Sequence, residues 1–182
     1  MSGETLVRHC SPTLAGLKTA NLFTCAYATK ADMQADIRTL NRRLCSKGLR
    51  VMPLQYRNGR ALIYIYRPAL LQKDFDRREC RALLQSEGYC TGSCGKCLAQ
   101  LRERLQHQED FPHEIGLFLG YPPEDVRGFI EHRAGCKLVG AWKVYGDAAK
   151  AARIFEQYKK CTATYLRKFA QGSSVECLAV SV

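Results

Sequence analysis

The sequence lacks several features that would place it in a large class of proteins. No apolar run approaches the roughly 20 residues that a membrane-spanning helix needs. The segment Met1–Arg8 has neither the basic start nor the apolar stretch of a signal peptide. Neither phosphate-loop signature, G-x-x-x-x-G-K-[ST] or G-x-G-x-x-G, occurs. These absences argue against membrane insertion, export and a nucleotide site of either type, and we expect a soluble, cytoplasmic protein.

Length and composition predict one globular domain. The chain has 182 residues, of which 46% are hydrophobic and 25% charged, and a chain of this size buries a sizeable core. Because no linker, repeat or low-complexity stretch interrupts it, residues 1–182 are predicted to form a single domain.

Helical and strand patterns alternate irregularly and predict an α+β fold with a small, mostly antiparallel sheet. Thr29 is suited to cap a helix that runs to about Lys47 and that Gly48 ends. Asn58-Gly59 predicts a tight turn in a β-hairpin over about residues 51–67, packed against several helices. The other predicted elements are a strand within Leu14–Ala28, helices over Asp74–Glu87, Cys94–Gln108, 115–119 and Glu124–Arg133, a strand over Lys137–Tyr145, and a helix from a cap at Asp147 to about Gln171.

Ten cysteines are many for a chain of this length. Without an export signal, free thiols, metal ligands or redox cysteines are expected rather than a disulfide framework. The densest group is Cys90, Cys94 and Cys97, and three interpretations of it stay open. In the first, Cys94 and Cys97 are a dithiol whose pKa is lowered by a helix N-terminus. In the second, the three thiols hold zinc, iron or an iron–sulfur cluster together with Cys80 or a histidine. In the third, the thiols simply pack in the core.

The segment Phe111–Tyr121, FPHEIGLFLGY, contains a second candidate site. His113 is suited to act as a general acid or base, or as a metal ligand, and Glu114 adjoins it. Leu117 stands where the H-E-x-x-H zinc motif needs its second histidine, so that motif is excluded. The alternative is a helix start, at which the histidine is hydrogen-bonded and the glutamate faces the helix dipole.

No Asp or Glu occurs between Ile37 and Lys73, a region with nine Lys and Arg residues. The formal net charge of the chain is +11, which favours an acidic partner. Arg and Tyr interleave in this region as in strand-based RNA binders, although no RNP-type motif is present. Docking of an acidic protein fits the charge equally well. The residues predicted to contact an anion or partner are Arg38, Arg42, Arg43, Arg57 and Arg60.

Three segments resemble a bacterial family named domain of unknown function 3793. They are HCSPTLAGLK at His9–Lys18, FPHEIGLFLGYPPEDVRGF at Phe111–Phe129, and WKVY at Trp142–Tyr145. The cysteines at 90, 94 and 97 are not part of the family pattern. The residues that match it are His9, Cys10, Thr13, Lys18, His113, Glu114, Tyr121, Asp125, Trp142, Lys143 and Tyr145.

The resemblance implies a single-domain cytoplasmic protein of anaerobic bacteria, found near flavodoxin and iron-uptake functions. An acidic flavodoxin would suit the basic region as a partner. Together with the residues, this predicts an accessory protein for redox or iron handling, with His9, Cys10, His113 and Glu114 as one candidate site and the three cysteines as a second. The alternatives are a nucleic-acid-binding module that uses the basic region, and an enzyme with His113 as acid or base.

Overall fold

A computed structural model describes residues 1–107, 110–132 and 134–181 and confirms the α+β class. The chain forms two compact units: Met1–Ala69 together with Tyr158–Val182, and Leu70–Gln157. No helix in the described part of the chain is long and apolar enough to cross a bilayer. The helices are α1 Gly3–Leu14, α2 Lys30–Leu44, α3 Pro68–Phe75, α4 Arg78–Ser86, α5 Cys94–His107, α6 Ile115–Phe118, α7 Pro123–Ile130, α8 Ala148–Ala170 and α9 Val175–Leu178; the strands are β1 Ala20–Ala26, β2 Arg50–Arg57, β3 Arg60–Tyr66, β4 Leu138–Val139 and β5 Lys143–Val144.

The first unit is built on the antiparallel sheet β1-β3-β2, and the predicted hairpin is confirmed. Asn58 and Gly59 have φ angles of 49° and 70°, the left-handed conformation that a tight hairpin turn requires. The central strand β3 directs Ala61, Ile63 and Ile65 into a buried core shared with α1, α2 and α9.

Helix α2 forms as its sequence predicts. The Thr29 hydroxyl accepts a hydrogen bond from the Asp32 amide at 3.1 Å and so caps the helix. The apolar stripe of α2 packs into the core, and the Asn41 side chain bonds both backbone groups of Val51 at 2.8 Å. Asn41 therefore fixes α2 against β2 and occupies backbone groups on that strand.

Helix α1 was not predicted, and the predicted strand within Leu14–Ala28 is shorter than expected. Leu14 ends α1, and only Ala20–Ala26 is extended. The helix has a Ser2 cap and an ion pair between Glu4 and Arg8, but Pro12 lies in its last turn. A proline outside the first turn removes one backbone donor and disfavours a helix, so Pro12 argues against the helix that forms here.

The second unit contains most of α3 and helices α4 to α7, and one helix prediction needs correction there. A single helix over Asp74–Glu87 was wrong: α3 ends at Phe75, α4 begins at Arg78, and Pro68 starts the earlier helix. The predicted ends Gln108 and Arg133 lie outside the described residues.

The strand predicted over Lys137–Tyr145 was also wrong. The segment folds back on itself as the two-residue strands β4 and β5. The Lys137 amide donates to the Val144 carbonyl at 2.8 Å, and the Gly140 amide to the Trp142 carbonyl at 3.1 Å. These bonds close a small hairpin, which satisfies the backbone locally rather than in a sheet.

One buried cation joins four parts of the first unit. Arg67, 1% exposed, directly follows β3. Its guanidinium donates to the carbonyls of Thr13 at 2.7 Å, Leu14 at 2.8 Å, Lys47 at 3.0 Å and Val180 at 2.7 Å. Thr13 and Leu14 lie at the carboxyl end of α1, where the carbonyls carry partial negative charge and each of these two also accepts one backbone amide, from Gly16 and Val180. The guanidinium therefore stabilises a helix end, a turn and the C-terminal segment at once.

Replacing Arg67 with Met should lower the free energy of unfolding by about 3 kcal/mol, because four charge-assisted hydrogen bonds are lost and the carbonyls of Lys47 and Val180 lose the donor that the structure gives them. Urea unfolding monitored by circular dichroism measures the change. Arg57→Met, an exposed site at the end of β2, is the matched control and should change stability by less than about 0.5 kcal/mol. Equal effects of the two substitutions would contradict the structural role of Arg67.

Candidate functional site

The second unit contains a cavity of about 390 Å³, which we call the aromatic cavity. Helices α6 and α7, the segment before α6, and strand β5 with its preceding turn supply its walls. Much of the sequence that resembles the known family therefore surrounds one space. Its lining residues are Phe111, His113, Ile115, Gly116, Tyr121, Asp125, Val126, Phe129, Trp142 and Lys143.

Asp125 positions one wall of the cavity. Pro122-Pro123 open α7, and Asp125 lies in its first turn, 3% exposed. One carboxylate oxygen accepts the Trp142 indole N–H at 2.7 Å. The other accepts the backbone amides of Tyr145 at 2.7 Å and Gly146 at 2.8 Å. Three donors thus satisfy the buried carboxylate, and they hold the β5 segment against α7.

Aromatic rings extend from this anchor. Tyr121 stacks on Trp142 with ring centroids 4.8 Å apart, and Phe155 meets the other side of the indole edge-on at 4.6 Å. A Cβ atom at Gly128 would lie 2.6 Å from the Tyr145 ring, so glycine permits the close approach of α7 to this segment. Burial raises the pKa of Tyr121 to about 12, which keeps its hydroxyl neutral.

Two basic side chains lie on the exposed part of the lining, around Phe129. The His113 ring meets the Phe129 ring edge-on at 4.8 Å, and Lys143 holds its ammonium 5.1 Å from the centre of the same ring. The His132 ring lies 6.4 Å from that of His113. His113 and Lys143 are both exposed, so these groups can reach a ligand without being desolvated beforehand.

Glu114 does not act together with His113 in the structure. It is 4% exposed and accepts hydrogen bonds from the Tyr89 hydroxyl at 2.8 Å and from Arg104 at 2.9 Å. Arg104 also lies 4.3 Å from the centre of the Tyr89 ring. Burial and the neighbouring Glu114 raise the pKa of Tyr89 above its usual range. Glu114 therefore holds α5 in place, while its neighbour His113 faces the cavity.

The N-terminal candidates belong to the first unit. His9 is exposed and stacks on Phe23 at 5.5 Å, whereas Cys10 is completely buried, and burial raises the pKa of its thiol far above the usual value. Burial also lowers the pKa of Lys18 to about 8. The Thr13 hydroxyl donates to the Asn21 side chain at 2.6 Å. Cys10 packs in the core of the first unit, and its role as a ligand stays a prediction.

The cysteines around α5 lie near one another. Cys80 and Cys97 are buried, Cys94 is half-buried and Cys90 is exposed. Burial and neighbouring thiols raise the pKa of Cys94 to about 11, and burial raises that of Cys80 to about 12 and that of Cys97 above its usual value. Within the described residues, no group of three or more His, Cys, Asp or Glu side chains is arranged to hold a metal ion. Thiol-based redox or iron handling stays a prediction.

The basic candidates divide between α2 and the hairpin. Arg38, Arg42 and Arg43 are exposed on α2, and Arg43 pairs with Glu176 at 3.2 Å. Arg57 and Arg60 flank the hairpin turn, and Arg60 donates to the Thr24 hydroxyl at 2.9 Å. All five arginines predicted to contact an anion therefore belong to the first unit.

Five cavity residues were missed as site residues: Phe111, Ile115, Gly116, Val126 and Phe129. Apolar residues in a short helical pattern indicate a core, and nothing in their spacing shows that they enclose an empty volume. The signal available in the sequence was the density of aromatic residues over Phe111–Phe129. In the structure, the apolar ring of Phe111 remains 47% exposed.

Asp125→Asn should lower the free energy of unfolding by about 1 to 3 kcal/mol, because an amide N–H₂ group that faces the Trp142 indole cannot accept a hydrogen bond from the indole N–H. The same change should shift Trp142 emission, since this is the single tryptophan of the chain. Urea unfolding and fluorescence measure both effects.

The matched control is Asp147→Asn, at the residue that caps α8 through the Lys150 amide at 2.9 Å. Asparagine caps helices about as well as aspartate, so this control should remain close to the parent protein. An Asp125→Asn protein with parental stability and emission would show that the carboxylate does not hold the indole.

Alkylation by iodoacetamide at neutral pH should modify the exposed cysteines 45, 90, 136 and 177 well before Cys94. Because its pKa is about 11 rather than the ordinary 9.0, Cys94 has about 100-fold less thiolate at neutral pH than an unperturbed thiol. Peptide mass mapping over time measures each rate, and in urea all ten thiols should react alike. Fastest modification at Cys94 or Cys97 would instead indicate a reactive dithiol.

Comparison with known proteins gives one match. A family described as "Protein of unknown function (DUF3793)" matches residues 6–179. No curated protein and no solved structure matches the chain significantly.

Proposed function

The chain belongs to the DUF3793 family, and we propose that it is a binding protein for a small aromatic anion, which it holds in the aromatic cavity. The observation that carries the proposal is the convergence of four aromatic side chains and one ammonium group on a single space of about 390 Å³. Ligand sites are typically apolar cavities of about 300 to 1,000 Å³ with a few placed polar groups.

The apolar walls favour an aromatic ligand body. Tyr121, Phe129, Trp142 and Phe111 present ring surface, and aromatic pairs gain energy beyond the burial of area when they meet offset or edge-on. Because Asp125 already fixes Trp142, the wall does not need to be ordered when a ligand enters. Such preorganisation reduces the entropic cost of binding.

The charges of the lining favour an acidic group on the ligand. Asp125 is the acidic residue of the lining, and both of its oxygens accept protein N–H groups. Lys143 is exposed and rests on the Phe129 ring, where a carboxylate, sulfonate or phosphate of the ligand can pair with it. His113 adds a hydrogen-bond donor on the same side of Phe129.

Binding without covalent chemistry is the simplest use of these groups. The lining residues include no serine, threonine or cysteine that could act as a nucleophile. Glu114, the carboxylate nearest to His113 in sequence, is engaged by Arg104 and Tyr89.

We expect one molecule of 1-anilinonaphthalene-8-sulfonate, an aromatic anion, to bind per chain. Excitation through Trp142 should give energy transfer to the probe, since the single tryptophan lines the cavity. Lys143→Gln should weaken binding about fivefold, the effect of losing about 1 kcal/mol of ion pairing. Phe129→Ala should weaken it about tenfold through loss of a ring contact.

Lys150→Gln is the matched control, because it removes an exposed lysine that does not line the cavity; it should bind the probe as the parent does. Circular dichroism of each variant shows whether the fold is retained. Parental affinity in both cavity variants, or no saturable energy transfer, would contradict the proposed site.

A further inference from the structure

The entire net charge of the protein belongs to one of its two units. The first unit carries fifteen Lys and Arg residues against four Asp and Glu, whereas the second carries thirteen of each. Charge segregated in this way is the electrostatic footprint of a polyanion-binding surface. This observation is independent of the aromatic cavity, which lies wholly in the second unit.

The four acidic side chains of the first unit already have partners within that unit. Three of them pair with a cation and one with a capping hydroxyl. The partners are Arg8 for Glu4, the N-terminal amine for Asp36, Arg43 for Glu176 and Thr29 for Asp32. Most of the fifteen basic side chains therefore have no carboxylate within their own unit to neutralise them.

Two arginines of this group share one face of α2. Arg38 and Arg42 lie one helical turn apart, both are exposed, and with Ala35, Thr39 and Asn41 they line a surface depression. Side chains four residues apart on a helix are neighbours. Arg42 donates to the Thr39 hydroxyl at 3.2 Å, which orients its guanidinium and leaves its other donors available.

Two further exposed arginines, Arg50 and Arg57, lie at the two ends of β2. Their partners on β3 are Tyr66 and Arg60, which alternate with the core residues Ile65 and Ala61, so these two arginines lie on the sheet surface opposite α2. Within the described residues, Arg38 and Arg42 take part in no ion pair of the first unit. We define Arg38 and Arg42 as the basic face.

The chemistry of this face suits phosphates better than an acidic protein. Protein interfaces rely on buried aromatic or aliphatic anchors. Among the described residues of the first unit, the large exposed apolar side chains are Leu17 and Val180, and neither lies on α2 or β2. The guanidinium fork binds phosphate oxygens in pairs, and nucleic acid presents closely spaced negative charges along its backbone.

We propose that the basic face binds the phosphate backbone of nucleic acid independently of base sequence. Affinity then comes from release of counterions when the arginines neutralise phosphates. Because two arginines make the contact, the affinity for duplex DNA should fall about tenfold between about 50 and about 200 mM salt.

The test is fluorescence anisotropy of the full-length protein with a labelled DNA duplex and a labelled single-stranded RNA, each of about 20 nucleotides per strand and of unrelated sequences. Arg38→Gln/Arg42→Gln should weaken binding to the duplex about tenfold or more. It should also reduce the slope of log affinity against log salt by about 1.8, the value for two lost phosphate contacts.

Arg102→Gln/Arg153→Gln is the matched control, since it removes the same charge from two exposed arginines of the second unit. This control should change the affinity less than twofold, and circular dichroism should show that both double variants remain folded. Equal weakening in the two double variants, or no binding at low salt, would overturn the proposal. Displacement by poly-L-glutamate as efficiently as by unlabelled duplex would also overturn it, in favour of an acidic protein partner.

Discussion

A single buried carboxylate determines the shape of the candidate site. Asp125 accepts the indole N–H of Trp142 and two backbone amides that follow β5, each at 2.7–2.8 Å. Without these bonds the small β4–β5 hairpin, with its two-residue strands, has little to hold it. The carboxylate therefore converts a weak local structure into a fixed wall, and the stacking of Tyr121 and Phe155 on Trp142 depends on that position.

In the first unit, a buried cation rather than a buried carboxylate holds backbone segments together. Arg67 donates to four backbone carbonyls, two of them at the end of α1, as Asp125 accepts from two backbone amides and an indole. In each case one buried ion joins backbone segments that are distant in sequence. The remaining charge of the first unit is unbalanced, and on this basis we propose a polyanion as the partner of the first unit and an aromatic ligand for the second.

Local signals predicted much of the fold and little of the site. The Thr29 cap, the Asn58-Gly59 turn and the proline start of α7 all act within a few residues, and the structure confirms each. The cavity depends instead on bonds such as that between Asp125 and Trp142, which are distant in sequence. His113 and Glu114 are adjacent in sequence but have different surroundings. Glu114 is buried and hydrogen-bonded to Arg104 and Tyr89, whereas His113 lines the cavity. The resemblance to the family singled out Tyr121, Asp125, Trp142 and Lys143, and the structure adds how they meet.

The most direct measurement of the central claim uses the single tryptophan in solution. Its indole N–H gives one resolved side-chain signal in a ¹H–¹⁵N correlation spectrum of the labelled protein. On titration with 1-anilinonaphthalene-8-sulfonate, our account predicts saturable shifts of this signal and of backbone amides within 111–129 and 142–146, with equal affinity at every site. An unchanged indole signal, or shifts confined to the arginines of α2 and β2, would contradict an aromatic-anion site in the second unit.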